Sequence, residues 1–526
     1  MKKKIILLIV FVLIQSGIVR AQHLRVYFKD KGSTTMQITP ENVALSTKAV
    51  ERRQRMGISL DQRDLPVNPE YVDLLRQNNG VIKAKSRWFN YVVVDGLDEA
   101  VLRNFSFVKH IEKPKTYQAV FASTQNCSQV QNIDYGLAQG QIEMLRGEKL
   151  HELGYLGQGM TIAVLDGGFV GTQSAPEFDS LRTNNRILGT YNFVNSSTDI
   201  YTDGSHGSKV FSVLGGYLPN QLVGSAPRAN YWLLKSEEEA DETPVEMDYW
   251  MMAAEFADSV GADIISSSLG YNEFRTGQNH VYADMDGNTT IVTKAADMAA
   301  QKGLLVIVSA GNEGNDPWTF ITAPADGDSV LAVGAVNSSE SRASFSSKGP
   351  TADNRIKPDV MALGSSTAFA SNGRALLGNG TSFACPIVAG LAACLWQVNP
   401  TKSNMDIFNE IRQSGNRSFN PDNEYGYGIP NFEYAFYQIG LDEIMEDLEV
   451  NIFPNPVEDE LHINLDAYSL IQKVKVELYD MLGNQVYSGQ LQLNEGNASI
   501  KFPYSSGLYI LNLTIEDQLV SKRILK

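Results

Sequence analysis

Along the middle of the chain, short and mostly apolar runs alternate with longer stretches of helical periodicity. Met160–Leu165, Tyr231–Lys235, Asp263–Ser268, Leu304–Ser309 and Val330–Val336 have the length of strands, and Val245–Val260, Thr290–Lys302 and Ser382–Val398 have the length of helices. A strand with apolar residues at successive positions has no face to give to water. Such strands, separated by helices, predict an α/β fold with a parallel sheet covered on both faces. Ligands of such sheets bind at the carboxyl ends of the strands. Asp166 follows one run directly and Ser309 to Asn312 close another, so both are expected at that edge.

The pattern changes on either side. Before it, the alternating segments Leu24–Phe28 and Tyr91–Asp95, a helical stretch at Asp98–Asn104 and the segment Val108–Ile111 predict a small α+β unit able to pack against a partner surface. After Asp442, Leu461–Leu465, Val474–Tyr479, Gln485–Tyr487, Ser499–Phe502 and Leu508–Ile515 alternate with turns such as Leu482–Asn484. That spacing predicts a small β-sandwich. At the extreme N-terminus, three lysines precede the apolar stretch Ile5–Ile14 and then Ala21. A helix there would be only ~15 Å long against ~30 Å of hydrocarbon. Residues 1–21 therefore read as a cleaved signal peptide, and no later stretch is apolar for long enough to span.

Charge and cysteine content narrow the function. A net charge of −16 over 526 residues argues against a nucleic-acid partner, which wants a basic face. The three cysteines give no disulfide framework. Cys385 and Cys394 fall on one predicted helix, ~13.5 Å apart along its axis and too far to bridge. Cys127 lies in a polar linker.

Three polar islands carry the chemistry. They are Thr161–Gly168 around Asp166, Asp203–Ser208 around His206, and Gly378–Pro386 around Ser382. A hydroxyl is a weak nucleophile, so acyl transfer needs a base beside it and a carboxylate to orient the base. Gly378 and Gly380 let backbone and substrate approach closely. Pro386 is expected in the first turn of the following helix, where its missing N–H does no harm. Ser382 then sits at a helix N-terminus, which favours developing negative charge. Of the six histidines, His206 alone combines a flanking glycine with a helix start inside this segment, and His151 and His280 read as solvated or structural.

The chain order Asp, His, Ser, with Val308–Gly314 between the second and third islands, resembles the subtilisin-like serine proteases (subtilases, peptidase family S8) over roughly residues 131–440. The resemblance implies a secreted endopeptidase with Ser382 as nucleophile, His206 as base, Asp166 as orienting carboxylate and Asn312 as side-chain donor to the oxyanion. It implies a propeptide at 22–125, acting as folding template and temporary inhibitor, then the processing linker Ser123–Gln131 and a catalytic domain at 126–440. Segment Ser266–Gly270 is expected to act as an edge strand for an extended substrate. The primary pocket is expected between Ser268, Leu269, Gly270 and Ala310, Gly311, with Thr322–Ala325 near its base. None of these wall positions is acidic, so an apolar or permissive pocket is expected rather than one for basic side chains.

Residues 447–526 resemble the C-terminal sorting domain of proteins exported by the type IX secretion system, through Phe453–Pro456, Gly507–Tyr509 and the basic end Ser521–Lys526. A carbohydrate- or surface-binding module is the alternative for this segment. For the whole chain the alternative is a non-catalytic surface protein that keeps the fold. The implied partners are protein or peptide substrates, the chain's own propeptide and the type IX machinery, with the product released or held on the outer surface.

Several positions depart from the family pattern. Gly167 follows the aspartate in place of the common Ser, and Lys209 stands where a second His often occurs. Phe383 replaces the usual Met after the nucleophile, and Cys385 the usual Ala. The chemistry implies no cofactor, though structural calcium is compatible with the family. Asp284, Asp286 and Asn288, at alternate positions around a glycine, are the weak candidates for it. The acidic run Glu237–Glu242 reads as a solvated loop, or as an edge of the cleft that favours basic substrate side chains.

Overall fold

The computed structural model describes residues 23–32, 38–40, 42–113, 134–238, 243–274, 279–445, 451–464, 473–480, 484–494, 497–515 and 518–526. The signal segment, the linker 123–131 with Cys127, and residues 239–242 of the acidic run lie outside the described residues.

The apolar runs form one seven-stranded sheet, in the order Val360–Leu363, Val330–Val336, Leu305–Ser309, Ile264–Ser267, Thr161–Asp166, Asn230–Lys235 and Ile187–Asn192. Every neighbouring pair is parallel. Alternate side chains of one strand enter opposite cores, as the pleat demands. Ile162 and Val164 pack with Val210, Phe211 and Ile387, whereas Ala163 and Leu165 pack with Met251, Ala254 and Val292. The first face is covered by helices His206–Gly215 and Thr381–Val398, the second by Glu246–Val260 and Ile291–Gln301.

Thr381–Val398 is the one described helix long and apolar enough to cross a membrane, and it is a buried core helix here. Being apolar all round, it can sit between the sheet and the outer helices Asn404–Gln413 and Phe432–Met445. Sequence reading did not find the two edge strands: most of Ile187–Asn192 is half-exposed and lacks a continuous apolar run, and Val360–Leu363 is only 4 residues long.

Four antiparallel strands, Val81–Ser86, Tyr91–Asp95, Leu24–Phe28 and Val108–Glu112, make the N-terminal unit, with helices Thr47–Arg55 and Pro69–Gln77. Val92 and Val94 point into this unit's own core. Tyr91 and Val93, on the other face, join Trp88 in the core built on Glu246–Val260. That helix grips the unit with carboxylates. Asp248 accepts from Arg25 at 2.7 and 2.8 Å and from the Tyr91 hydroxyl at 2.5 Å. Glu255 accepts from Ser86 Oγ at 2.8 Å and Trp88 N at 3.0 Å. Asp258 takes Arg52 and Arg53 at 2.5 Å each and Arg87 at 3.2 Å.

The C-terminal segment is two antiparallel sheets around a core that includes Leu461, Ile463, Val476, Leu478, Leu511 and Leu513. Its last strand, Gln518–Leu525, was legible in the sequence only as a basic end. Arg523 on it reaches the central domain, donating to Gln413 at 3.0 Å and Gln438 at 3.1 Å.

His151 is structural. Buried under the Thr381–Val398 helix, it meets the Tyr135 hydroxyl at 2.9 Å and the Ser225 carbonyl at 3.0 Å. Burial pushes its imidazole down to about 4. Its unfolded value is about 6.5, so between pH 6.5 and 4 the unfolded chain binds a proton that the native state refuses. The stability gained by keeping His151 neutral is complete above about pH 6.5 and declines as pH falls to 4, by about 3 kcal/mol in all. Urea midpoints across that range, in a Ser382→Ala background to prevent autolysis, should shift less in His151→Gln than in the parent.

Candidate active site

The register places the islands at one edge. Leu165 pairs with Ser267, and Ser267 with Val308. One step further on, Asp166, Ser268 and Ser309 therefore leave three neighbouring strands at the same level, with about 4.8 Å between strands. This is also where the sheet order reverses, between Thr161–Asp166 and Ile264–Ser267.

Asp166 is fully buried, and its Oδ1 accepts from Gly167 N at 2.8 Å and pairs with His206 Nδ1 at 2.7 Å. With a carboxylate at Nδ1, the imidazole keeps its hydrogen on that side and presents Nε2 as the basic nitrogen. His206 opens the helix His206–Gly215, and its side chain is 35% exposed while that of Asp166 is 0%. The pair thus has one end in the core and the other at the surface.

Ser382 is the second residue of Thr381–Val398 and is nearly buried. Its Oγ lies 3.4 Å from the Ser268 carbonyl, and its own carbonyl accepts from Ser268 Oγ at 2.9 Å. The second contact corrects the reading of Pro386, which stands inside the helix rather than in its first turn. Proline at this place removes the bond that the Ser382 carbonyl would have received four residues on, and the Ser268 hydroxyl replaces it. A proline four residues after a candidate nucleophile was the available sequence signal for this partnership.

Asn312 lies just beyond Leu305–Ser309. Its Oδ1 accepts from Thr381 N at 2.9 Å and Thr381 Oγ1 at 3.1 Å. The residue before Ser382 thereby fixes the orientation of the amide, and the nitrogen is left as the donor.

Segment Ser266–Gly270 is not an edge strand in its first half. Ser266 and Ser267 are paired on both sides within the sheet, and only Ser268, Leu269 and Gly270 run free beyond it. Ala310 and Gly311 run beside them. The segments are joined through 322–323, where Thr322 N donates to the Ala310 carbonyl at 3.2 Å and Tyr271 N to the Ala323 carbonyl at 2.8 Å.

Asp284, Asp286 and Asn288 do not fit a calcium cage. Asp284 accepts from Val281 N and faces His280 at 3.4 Å, while Asp286 accepts from the backbone of Asn288 and Thr289 and from the Thr289 hydroxyl. Among the described residues no group of three or more His, Cys, Asp or Glu side chains is placed to hold a metal ion. Of the acidic run, Glu238 lies 3.4 Å from buried Lys235, which also pairs with Asp203.

Comparison with known proteins follows the same division of the chain. Residues 157–428, just over half of its length, match the model of the subtilase family. The chain belongs to the subtilase family. Residues 23–131 match the peptidase S8 propeptide domain of Bacteroidota, and residues 451–526 match a secretion system C-terminal sorting domain. Subtilisin E of Bacillus subtilis is 31% identical over 69% of this chain and 85% of its own. A subtilisin of Bacillus pumilus is 32% identical over 58% of this chain and 99% of its own. Among solved structures, MycP1 with its N-terminal propeptide removed aligns at 23% identity with 56% of this chain and 96% of its own, at a TM-score of 0.46. This subtilase is a secreted serine-type endopeptidase carrying a propeptide domain and a sorting domain.

Phe383 stacks on Phe369, 5.1 Å between ring centres, and brings no oxidisable sulfur next to Ser382. The Cys385 thiol is fully buried, and burial pushes it up to about 12, so it holds almost no reactive thiolate. Peroxide at a level that inactivates a methionine-bearing subtilase is expected to spare this enzyme, and Phe383→Met to restore sensitivity. Rapid inactivation that persists in Cys385→Ala would contradict this.

Proposed function

We propose that this subtilase hydrolyses peptide bonds through an Asp166–His206–Ser382 triad and an acyl-enzyme intermediate. The observation that carries the reading is the 2.7 Å bond from His206 to buried Asp166, at the sheet edge where Ser382 opens its helix. Ser382 Oγ attacks the scissile carbonyl. His206 Nε2 accepts the Ser382 proton and delivers it to the leaving amine, and Asp166 stabilises the imidazolium between the two steps. Water, deprotonated by the same nitrogen, then releases the acyl group. The oxyanion is met by the Ser382 backbone N–H at the helix N-terminus and by the Asn312 amide nitrogen, which Thr381 has already oriented.

Preorganisation of this kind gives Asn312 a specific expectation. Asn312→Ala should lower kcat by on the order of 10²–10³ with KM little changed, because the donor acts on charge that appears only in the transition state. Steady-state kinetics on one peptide substrate decide it.

The propeptide serves as the intramolecular inhibitor until it is cleaved, and the sorting domain engages the secretion machinery. Both roles are supported by the family matches of those segments. The whole reading is tested by covalent labelling with a fluorophosphonate. The processed protein should label and Ser382→Ala should not; labelling that is absent, or that survives the substitution, would defeat it.

A further inference from the structure

We propose that Thr322 closes the primary pocket and restricts cleavage to bonds preceded by short, uncharged side chains, Ala, Ser and Thr above all. This rests on the assignment of Ser382 as nucleophile. The Ser382 hydroxyl lies against the Ser268 carbonyl, so the free segment Ser268–Gly270 starts beside the reacting atom and leads away from it. Ala310 and Gly311 form the facing wall. Both walls come up against one side chain, and Gly311 also against Ser347 Oγ, which a Cβ there would approach to 2.8 Å. A Cβ built on Gly270 would come 2.3 Å from Thr322 Oγ1, and one built on Gly311 would come 3.0 Å from the same oxygen and 3.1 Å from the Thr322 methyl. Thr322 therefore spans the slot, and glycine is required on each side of it.

The side chain has no room to withdraw. Its backbone is bonded to Ala310, and Ala323 exchanges two bonds with Tyr271, at 2.8 and 3.2 Å. Ile321 and Ala325 on either side of this segment pack with Ala310 and Ala332 in a closed apolar cluster. Thr322 itself is 2% exposed, and its hydroxyl is buried with no hydrogen-bond partner.

An incoming side chain thus meets a fixed stop. An aromatic ring or a long aliphatic chain collides with the stop. A charged end is desolvated between walls that hold no ionisable residue, Ser268, Leu269, Gly270, Ala310 and Gly311. A short side chain fits.

The test uses the processed enzyme and fluorogenic peptides that differ only in the residue before the scissile bond: Ala, Ser, Leu, Phe and Lys. Wild type should turn over the Ala and Ser peptides at least tenfold better, in kcat/KM, than the Leu, Phe and Lys peptides. Thr322→Gly, which removes the stop, should raise the Phe-to-Ala ratio at least tenfold. Thr322→Val keeps the bulk of the side chain and should preserve the Phe-to-Ala ratio. Fluorophosphonate labelling of each variant reports an assembled site, and if Thr322→Gly does not label, Thr322→Ala is judged by the same ratio. Wild type without labelling would sink the nucleophile assignment. Labelled variants with an unchanged Phe-to-Ala ratio, or a wild type that prefers Phe, would overturn the role of Thr322.

Discussion

Ser382→Ala and His206→Ala are each expected to lower kcat by about 10⁴–10⁶, and the double variant to lose hardly more than either alone. The non-additivity follows from the chemistry. Without the hydroxyl the imidazole has no proton to take, and without the imidazole the hydroxyl is a poor nucleophile. KM should move only a few-fold, since neither group holds substrate in the ground state. Asp166→Asn should cost roughly 10⁴, because an amide at Nδ1 no longer enforces the tautomer that presents a basic Nε2. Single-turnover and steady-state kinetics on the three single variants and the double variant check this. Losses that multiplied across Ser382 and His206 would mean that the two do not act on one proton.

Asp258→Ala should weaken the hold of the catalytic domain on its cleaved propeptide by roughly 10²–10⁴-fold. Asp258 is fully buried and takes Arg52 and Arg53, themselves 1% exposed, together with Arg87. Lys302 of the catalytic domain reaches the other way, to propeptide Asp64 at 2.9 Å, and Arg53 bonds the same carboxylate at 2.9 Å. Removing one member of such a network leaves buried charge uncompensated, at about 3–5 kcal/mol. Because water is excluded, high salt should screen the contact little. The measurement is the inhibition constant of the cleaved propeptide against processed wild-type and Asp258→Ala enzyme, at low salt and at 1 M. Equal constants would show that the apolar contacts of Trp88, Tyr91 and Val93 carry the association without the charges.

Much of this could be seen in the sequence where the signal was local. Val330–Val336 was found to the residue, because a seven-residue apolar run between turns has few other uses. Helix Glu246–Val260 was found to within one residue, and the two sheets of the C-terminal sandwich announced themselves by alternation. The misreadings have local causes too. Pro386 was judged by a rule for first turns, when the group that makes it tolerable is the Ser268 hydroxyl on the Ser382 carbonyl, a bond between residues 114 apart. The acidic alternation at 284–288 looked like a cation loop, but its carboxylates are spent on nearby backbone and hydroxyl groups and on His280.

By itself the sequence determined the α/β class, the three islands and their order, and the presence of propeptide, protease and sorting segments. Each of these depends on which residues stand next to one another along the chain. The tertiary structure alone decided that Asp166, Ser268 and Ser309 leave the sheet at one level, that Thr322 lies against both Gly270 and Gly311, and that Arg25 meets Asp248 across 223 residues. Those contacts join residues far apart in the chain, and a hydrogen bond or a steric stop exists only once packing has brought its two sides within a few ångströms.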